Sequence, residues 1–371
     1  MQLRKLSLFV SIFIINSYAQ SEDYVNVQLL HYSESDSRVT VLAPSVEVNK
    51  ELGTDYTLNG SVVFDSVTGA SPTYYDASSG ASAYSRDTNV SLSNIKKGNI
   101  KFEEQRKAGA LNLTTRLANR DEIKTGINFS GEHDFYSAEI SGSFLHYMDG
   151  SKNSSVSVGG SYQSNQILVK TDATSGASEK KTNNVTNLQV GLSQVVNQTS
   201  VINGGIFYGK ESGYLSSPYH NIVRLINNTY RIEAEKKPES KTNYGFKLGY
   251  IKSLNEQISA QINYKYYSDD WDIQSHTIDT LAYYDLSSKT TLGGGIRYYT
   301  QTKANFYDER FTTEQYGSSD ERFKAFDATT YKANIDYKIS DTISYNFEVN
   351  LYKQSTGLQA TYFMTGLKYK F

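Results

Sequence analysis

From Tyr24 to the end, the sequence alternates apolar and polar residues with a period of two, which leaves little choice of secondary structure. In "TISYNFEVNLYK", Ile343, Tyr345, Phe347, Val349 and Leu351 share one face, while Ser344, Asn346, Glu348 and Asn350 share the other. "TYKANIDYKI" does the same with Tyr331, Ala333, Ile335, Tyr337 and Ile339 against Lys332, Asn334, Asp336 and Lys338. So does "ISAQINYKY", with Ile258, Ala260, Ile262, Tyr264 and Tyr266 against Ser259, Gln261, Asn263 and Lys265. Successive side chains of a strand point to opposite faces, so each segment is a strand with one apolar and one wet surface.

The joints between these strands add a second constraint. Short polar turns such as "LGTDY", "ANRDE", "VNQTS", "LNEQI", "LSSKT" and "ISDTI" alternate with connections that are often much longer. The long loops are expected at about 65–100, 170–184, 211–241 and 303–326. Short turns at one end and long loops at the other mark a transmembrane antiparallel β-barrel of the bacterial outer membrane. The expectation is an all-β fold of about sixteen strands, with both termini on the short-turn side. The chain ends in "FMTGLKYKF", where Phe363, Thr365, Leu367, Tyr369 and Phe371 fall on one face. That pattern looks like the terminal strand by which such barrels are recognised for assembly. A soluble β-sandwich also has period-two strands, but it does not explain the asymmetry of the turns. The 31 tyrosines suit a barrel, as girdle residues where strands cross the lipid interface.

The first residues read as an export signal. Arg4 and Lys5 precede a short apolar run over residues 6–15, and "NSYA" offers a small-x-small step that places cleavage after Ala19. The expected organisation is a signal peptide over 1–19 and a single barrel over 20–371. Net charge is only -2 and no Lys/Arg run occurs, which argues against nucleic acid as a partner. Cysteine is absent, so disulfides, thiolate metal sites and iron–sulfur clusters are excluded.

One pattern is not explained by a barrel. "DSVTGAS" starts at Asp65, "DASSGAS" at Asp76 and "DATSGAS" at Asp172. With ordinary residue frequencies, Asp-x-x-[Ser/Thr]-Gly-Ala-[Ser/Thr] arises by chance at roughly 10⁻⁵ per position. Serine, glycine and aspartate are common loop residues, but loop composition does not explain three copies.

The pattern resembles the acceptor motif of the bacterial FMN transferase, which splits FAD and attaches FMN by a phosphoester to a hydroxyl of an exported protein. The resemblance implies up to three covalent FMN groups, with Ser71, Ser82 and Ser178 as acceptors. The motif aspartates are Asp65, Asp76 and Asp172, and the small pairs are Gly69–Ala70, Gly80–Ala81 and Gly176–Ala177. Acceptors of that enzyme more often end in threonine, so Thr68, Ser79 and Ser175 stand as fallback acceptors. "LLHYSESDSRVTVLAPSVEVNKEL" followed by "VVFDSVTGASP" also resembles a domain-of-unknown-function family of bacterial outer-membrane barrels. That family is often encoded beside the FMN transferase and a thioredoxin-like protein. The resemblance brings no established activity.

The function expected from these residues is an electron-transfer relay at or across the outer membrane, because flavins pass one or two electrons. Its partners would be outer-membrane lipid, the periplasmic transferase as modifying enzyme, and a redox donor and acceptor such as a lipoprotein or a thioredoxin-like protein. A passive porin without cofactor is the alternative. An outer-membrane hydrolase is third, because none of His31, His133, His146, His220 and His276 sits in a nucleophile pattern. No metal site is expected. "SDDWD" (Asp269, Asp270, Asp272) and "YDERF" (Asp308, Glu309) lack the spacing of a calcium loop and read as solvated loop charges.

Overall fold

The structure is a computed structural model, and it describes residues 22–77, 89–170 and 178–371. The leader lies outside these residues. The first strands are β1 (Tyr24–Glu34), β2 (Val39–Leu52), β3 (Tyr56–Asp76), β4 (Asn89–Val90), β5 (Ile95–Arg116), β6 (Glu122–Gly131) and β7 (Phe135–Tyr147). Then come β8 (Ser154–Lys170), β9 (Ser178–Asn197), β10 (Ser200–Gly213), β11 (Asn221–Ile226), β12 (Thr229–Ala234) and β13 (Ser240–Ser253). The last are β14 (Ile258–Asp269), β15 (Gln274–Ser287), β16 (Thr290–Gln301), β17 (Phe326–Lys338), β18 (Ile343–Gln354) and β19 (Gln359–Lys370).

All but β4, β11 and β12 form one closed antiparallel barrel of sixteen strands, in which β1 pairs with both β2 and β19. Closure leaves the barrel wall without a first or last strand, the condition for strands to cross a hydrocarbon layer. The all-β barrel expected from the alternation is therefore the fold. The register also puts each face where the alternation placed it. Outward residues such as Val27, Ile140, Leu192, Ile206, Leu248, Ile262 and Leu351 are exposed despite being apolar, as a lipid-facing band requires. Tyr250, Tyr284, Tyr337 and Tyr369 rim that band near the short-turn end, and Tyr136, Tyr208, Tyr244 and Tyr298 rim it near the other. These are the two girdles, placed where an aromatic ring meets both lipid and water.

The inner face is polar. Asn334 and Asp336 of β17 pair in register with Glu348 and Asn346 of β18. With Lys332 they line a lumenal recess of about 240 Å³. The connections at one end, all short, join β2–β3, β5–β6, β7–β8, β9–β10, β13–β14, β15–β16 and β17–β18, and both chain ends lie on that side. The other end mixes short turns, at β1–β2, β6–β7, β14–β15 and β18–β19, with the long connections.

At the opposite end, two of the expected long loops carry structure of their own. Segment 214–239 contains the hairpin β11–β12, which with β4 makes a small three-stranded sheet. Its turn is Asn227–Asn228, both at positive φ (48° and 61°), a geometry asparagine tolerates and tight hairpins require. Segment 302–325 packs on this sheet through the buried Phe311, near Ile222, where a Cβ on Gly317 would meet both side chains. A second core joins Trp271, Ile273, Ala304, Phe306, Tyr307 and Phe323. The two segments form a cap with its own interior.

The region expected as a loop at 65–100 is different again. β3 continues to Asp76 and pairs with β5 as far as Ile95. Beyond Gly69 the β3 side no longer touches β2, and β6 joins β5 only from Lys107. Residues 70–76 and 95–101 are thus a two-stranded ribbon standing above the wall.

Candidate functional site

The first copy of the repeated motif lies in β3 and its ribbon, not in a loop. Asp65 is buried (6 % exposed) and forms an ion pair with Arg106, its direct partner on β5. Its carboxylate is therefore committed to the barrel wall, whereas the motif resemblance gives it a role in presenting the segment to an enzyme. Thr68 is exposed and stands opposite Glu103 and Thr40, while Gly69 stands opposite Phe102 and Val39. Ala70 and Ser71 are paired with Lys101 and Ile100 through the backbone. Asp76 closes the ribbon opposite Ile95.

Of the second copy, Ser79, Gly80, Ala81 and Ser82 lie outside the described residues. So do Asp172, Ser175, Gly176 and Ala177 of the third. Ser178 is described: it is exposed and opens β9 opposite Lys170. The positions of Ser71 and Ser178 share the long-loop end of the barrel, but the wall does not bring them together. Five strand-to-strand steps separate β3 from β9, about 24 Å along the sheet at the usual strand spacing.

Two residues after Ser71, Thr73 is almost fully buried (1 % exposed), and its Oγ1 accepts the Asn221 backbone N–H at 2.9 Å. The Asn221 side chain donates to the Tyr74 carbonyl at the same distance. The ribbon that carries the first motif is thus pinned to the start of β11 in the cap. Other contacts distribute the cap around the mouth. Glu321 binds Arg38 of the β1–β2 turn at 3.4 Å and Lys97 of β5 at 2.9 Å. The Tyr219 hydroxyl donates to Asp134 in the β6–β7 turn, and Asn305 N–H donates to the Trp271 carbonyl in the β14–β15 turn at 3.0 Å. Attachments on such separated parts of the wall carry the cap across the opening.

Inside the cap is a buried charge network that the sequence does not announce. Lys237 Nζ lies 3.0 Å from Glu235 Oε1, with the two side chains 5 % and 0 % exposed. Glu235 also accepts the Ser217 N–H at 2.8 Å and the Ser318 hydroxyl at 2.5 Å. Asp320 is gripped by the Arg322 guanidinium and by its backbone N–H. Burial alone would raise both carboxyls, but the neighbouring cations, Arg322 for Asp320 and Lys237 for Glu235, outweigh it and hold them below the carboxylate range. His220 is also buried, its Nδ1 has no hydrogen-bond partner among the described residues, and desolvation holds the ring below its ordinary value.

Donor atoms of His220, Glu235 and Asp320 lie within 4.8 Å of one another, a grouping of the kind that binds metals. The charge balance argues for a structural network instead, since Lys237 and Arg322 already neutralise the two carboxylates. The charges expected to be solvated are structural in part. Asp269 is buried, accepts from Trp271 N–H and Ile273 N–H at 3.0 Å each, and lies 3.4 Å from Lys241. It closes the β14–β15 turn. Of the other histidines, His31 stacks on Phe363 at 4.8 Å and His276 meets Tyr264 at 2.7 Å, both as girdle residues.

Comparison with known proteins places this architecture. The barrel is similar to a bacterial polysaccharide outer membrane secretin (7 % identity, TM-score 0.50), covering 95 % of this chain and 99 % of that one. It is also similar to the siderophore receptor PirA from Acinetobacter baumannii (9 % identity, TM-score 0.45), over 90 % of this chain. The match spans about half of that receptor's length, 53 %. The CymD monoaromatic hydrocarbon channel matches at 8 % identity and TM-score 0.43, covering 95 % of this chain and 89 % of that one. At such identities the likeness concerns the fold, an outer-membrane β-barrel. No curated protein matches by sequence. A family model described as protein of unknown function, DUF3570, matches residues 15–369, so the chain belongs to the DUF3570 family.

Proposed function

We propose that this outer-membrane barrel carries covalently attached FMN at its long-loop end and passes electrons there. The observation that carries the reading is the seven-residue motif spelled three times in one chain. Its described acceptor positions, Ser71 and Ser178, both fall at the capped end of the barrel. Attachment through a phosphoester would keep a flavin on an exposed surface from which a free one would diffuse. Flavin chemistry would supply one- and two-electron steps; the chain supplies position, with the first site on the ribbon pinned to the cap and the third on the rim. The transferase is the modifying partner, and the donor and acceptor are redox proteins meeting that end.

The test is an intact-mass spectrum of protein from cells co-expressing an FMN transferase, beside Ser71→Ala, Ser82→Ala and Ser178→Ala variants. Three FMN additions, each lost with its own serine, are the expected result. No addition, with the transferase active on a known acceptor, would remove the relay.

A second reading is supported by the polar inner face: sixteen strands enclose an aqueous lumen, and the cap makes the protein a closed or gated channel. Solute flux into liposomes from the unmodified protein distinguishes the two.

A further inference from the structure

The lumenal wall also holds an arrangement that neither reading uses. Lys247 of β13 and Lys265 of β14 are direct cross-strand partners, so two ammonium groups project side by side from the same face. Like charges set directly opposite each other disfavour a sheet unless something answers them. Lys265 has Lys247 and Arg297 as its charged neighbours, and among the described residues it makes no ion pair with a carboxylate. Arg297 has Asp279 at 4.0 Å, but that carboxylate is already held by Lys332 at 2.7 Å. Lys265 is therefore a positive charge with no carboxylate paired to it among the described residues.

Its floor is aromatic. The Phe207 ring of β10 lies across Gly245 of β13, with Lys265 Nζ 5.1 Å and Lys247 Nζ 5.7 Å from its centroid. A Cβ at Gly245 would come within 2.5 Å of the ring and 2.1 Å of the Tyr266 carbonyl, so only glycine lets the ring lie there. Tyr267 continues the floor, its ring 6.4 Å from Phe207 at 23°. Lys265 also stands over Tyr267 at 5.9 Å.

We propose that this lumenal face binds a small organic anion with a planar body. Its carboxylate or phosphate sits between Lys247 and Lys265, and its plane lies on the Phe207–Tyr267 floor. Two adjacent ammonium groups answer a single anionic group better than a dispersed set of lysines does. The rings add an apolar contact that inorganic anions cannot use. Arg297 reinforces the charge from two strands away.

Pyridoxal 5′-phosphate tests this directly, because its phosphate needs a cation and its aldehyde condenses with a neighbouring lysine amine. Unmodified protein from cells lacking the transferase is incubated with it in detergent, reduced with borohydride and mapped by mass spectrometry. Failure here thus leaves the flavin reading untouched. Labelling at Lys265 or Lys247 is expected to run at least tenfold ahead of Lys332, and phthalate should protect at lower concentration than inorganic phosphate. Lys247→Gln should slow labelling of Lys265 by a similar factor, with barrel integrity checked by heat-modifiable migration on gels. Equal labelling of the lumenal lysines, or no labelling of Lys247 and Lys265, overturns the site. Equal protection by phosphate and phthalate overturns its aromatic half.

Discussion

The Glu235–Lys237 pair shows what a single side chain does in the cap. Both groups are out of water and each is the other's main compensation. Glu235→Ala would leave a buried ammonium unanswered, which costs roughly 3–5 kcal/mol. Because that cost is confined to the cap, limited proteolysis within 214–239 should rise while the barrel keeps its heat-modifiable gel shift. The double variant Glu235→Gln with Lys237→Met removes both charges and should recover most of the loss. If both variants resist the protease like the parent, the pair does not hold the cap. The same scale governs Ser71. Its backbone is laddered to Ile100 in the finished barrel, so an enzyme must meet it as an unpaired strand. A barrel folded first and offered transferase and FAD afterwards should stay unmodified at Ser71, while protein exported alongside the transferase is modified; mass spectra of the two preparations decide.

At the level of elements, the cap is the part that should respond to pH. His220 stays neutral in its dry setting, facing Asp320, Glu235, Arg322 and Lys237. Below about pH 6.5, the ordinary histidine value, a released cap takes up a proton that the docked cap refuses, so docking weakens. Asp320 and Glu235 act in a lower window. Their depressed values mean that their contribution is whole above about pH 4 and is lost as the pH falls further. Protease sensitivity of segment 214–239 should therefore rise in two stages between pH 8 and pH 3, and His220→Gln should erase the first. A flat profile down to pH 5 in the parent would show that His220 does not act this way.

The whole molecule is a wide barrel with its outer mouth bridged. Sixteen-stranded barrels of the porin type leave an aqueous channel, whereas here segments 214–239 and 302–325 run from wall to wall across the opening. Replacing 219–236 with a short glycine–serine turn removes the sheet β11–β12 and the partners of Phe311. Liposomes carrying that variant should pass small sugars several-fold faster than liposomes carrying the parent. Equal rates would mean that the cap does not limit the lumen.

Much of this molecule is legible in its sequence alone. Strand and face at Tyr331, Ile335, Phe347 and Leu351 follow from a period of two, the even number of strands from the spacing of the turns, the girdles from the abundance of tyrosine, and the closing strand from the pattern that ends at Phe371. A lipid-facing strand reports its environment at every second residue, so a local pattern is enough to read it. The motif copies are legible in the same local way, as strings. The cap is not. His220, Glu235, Lys237, Asp320 and Arg322 come from two segments some eighty residues apart, and each reads locally as an ordinary loop residue. Phe207, Lys247 and Lys265 lie on three strands, and only the register sets two ammonium groups beside one ring. Alternation determines which face a side chain takes, whereas which side chains meet depends on pairing and on loops folding back over the mouth, and that is fixed by tertiary structure alone.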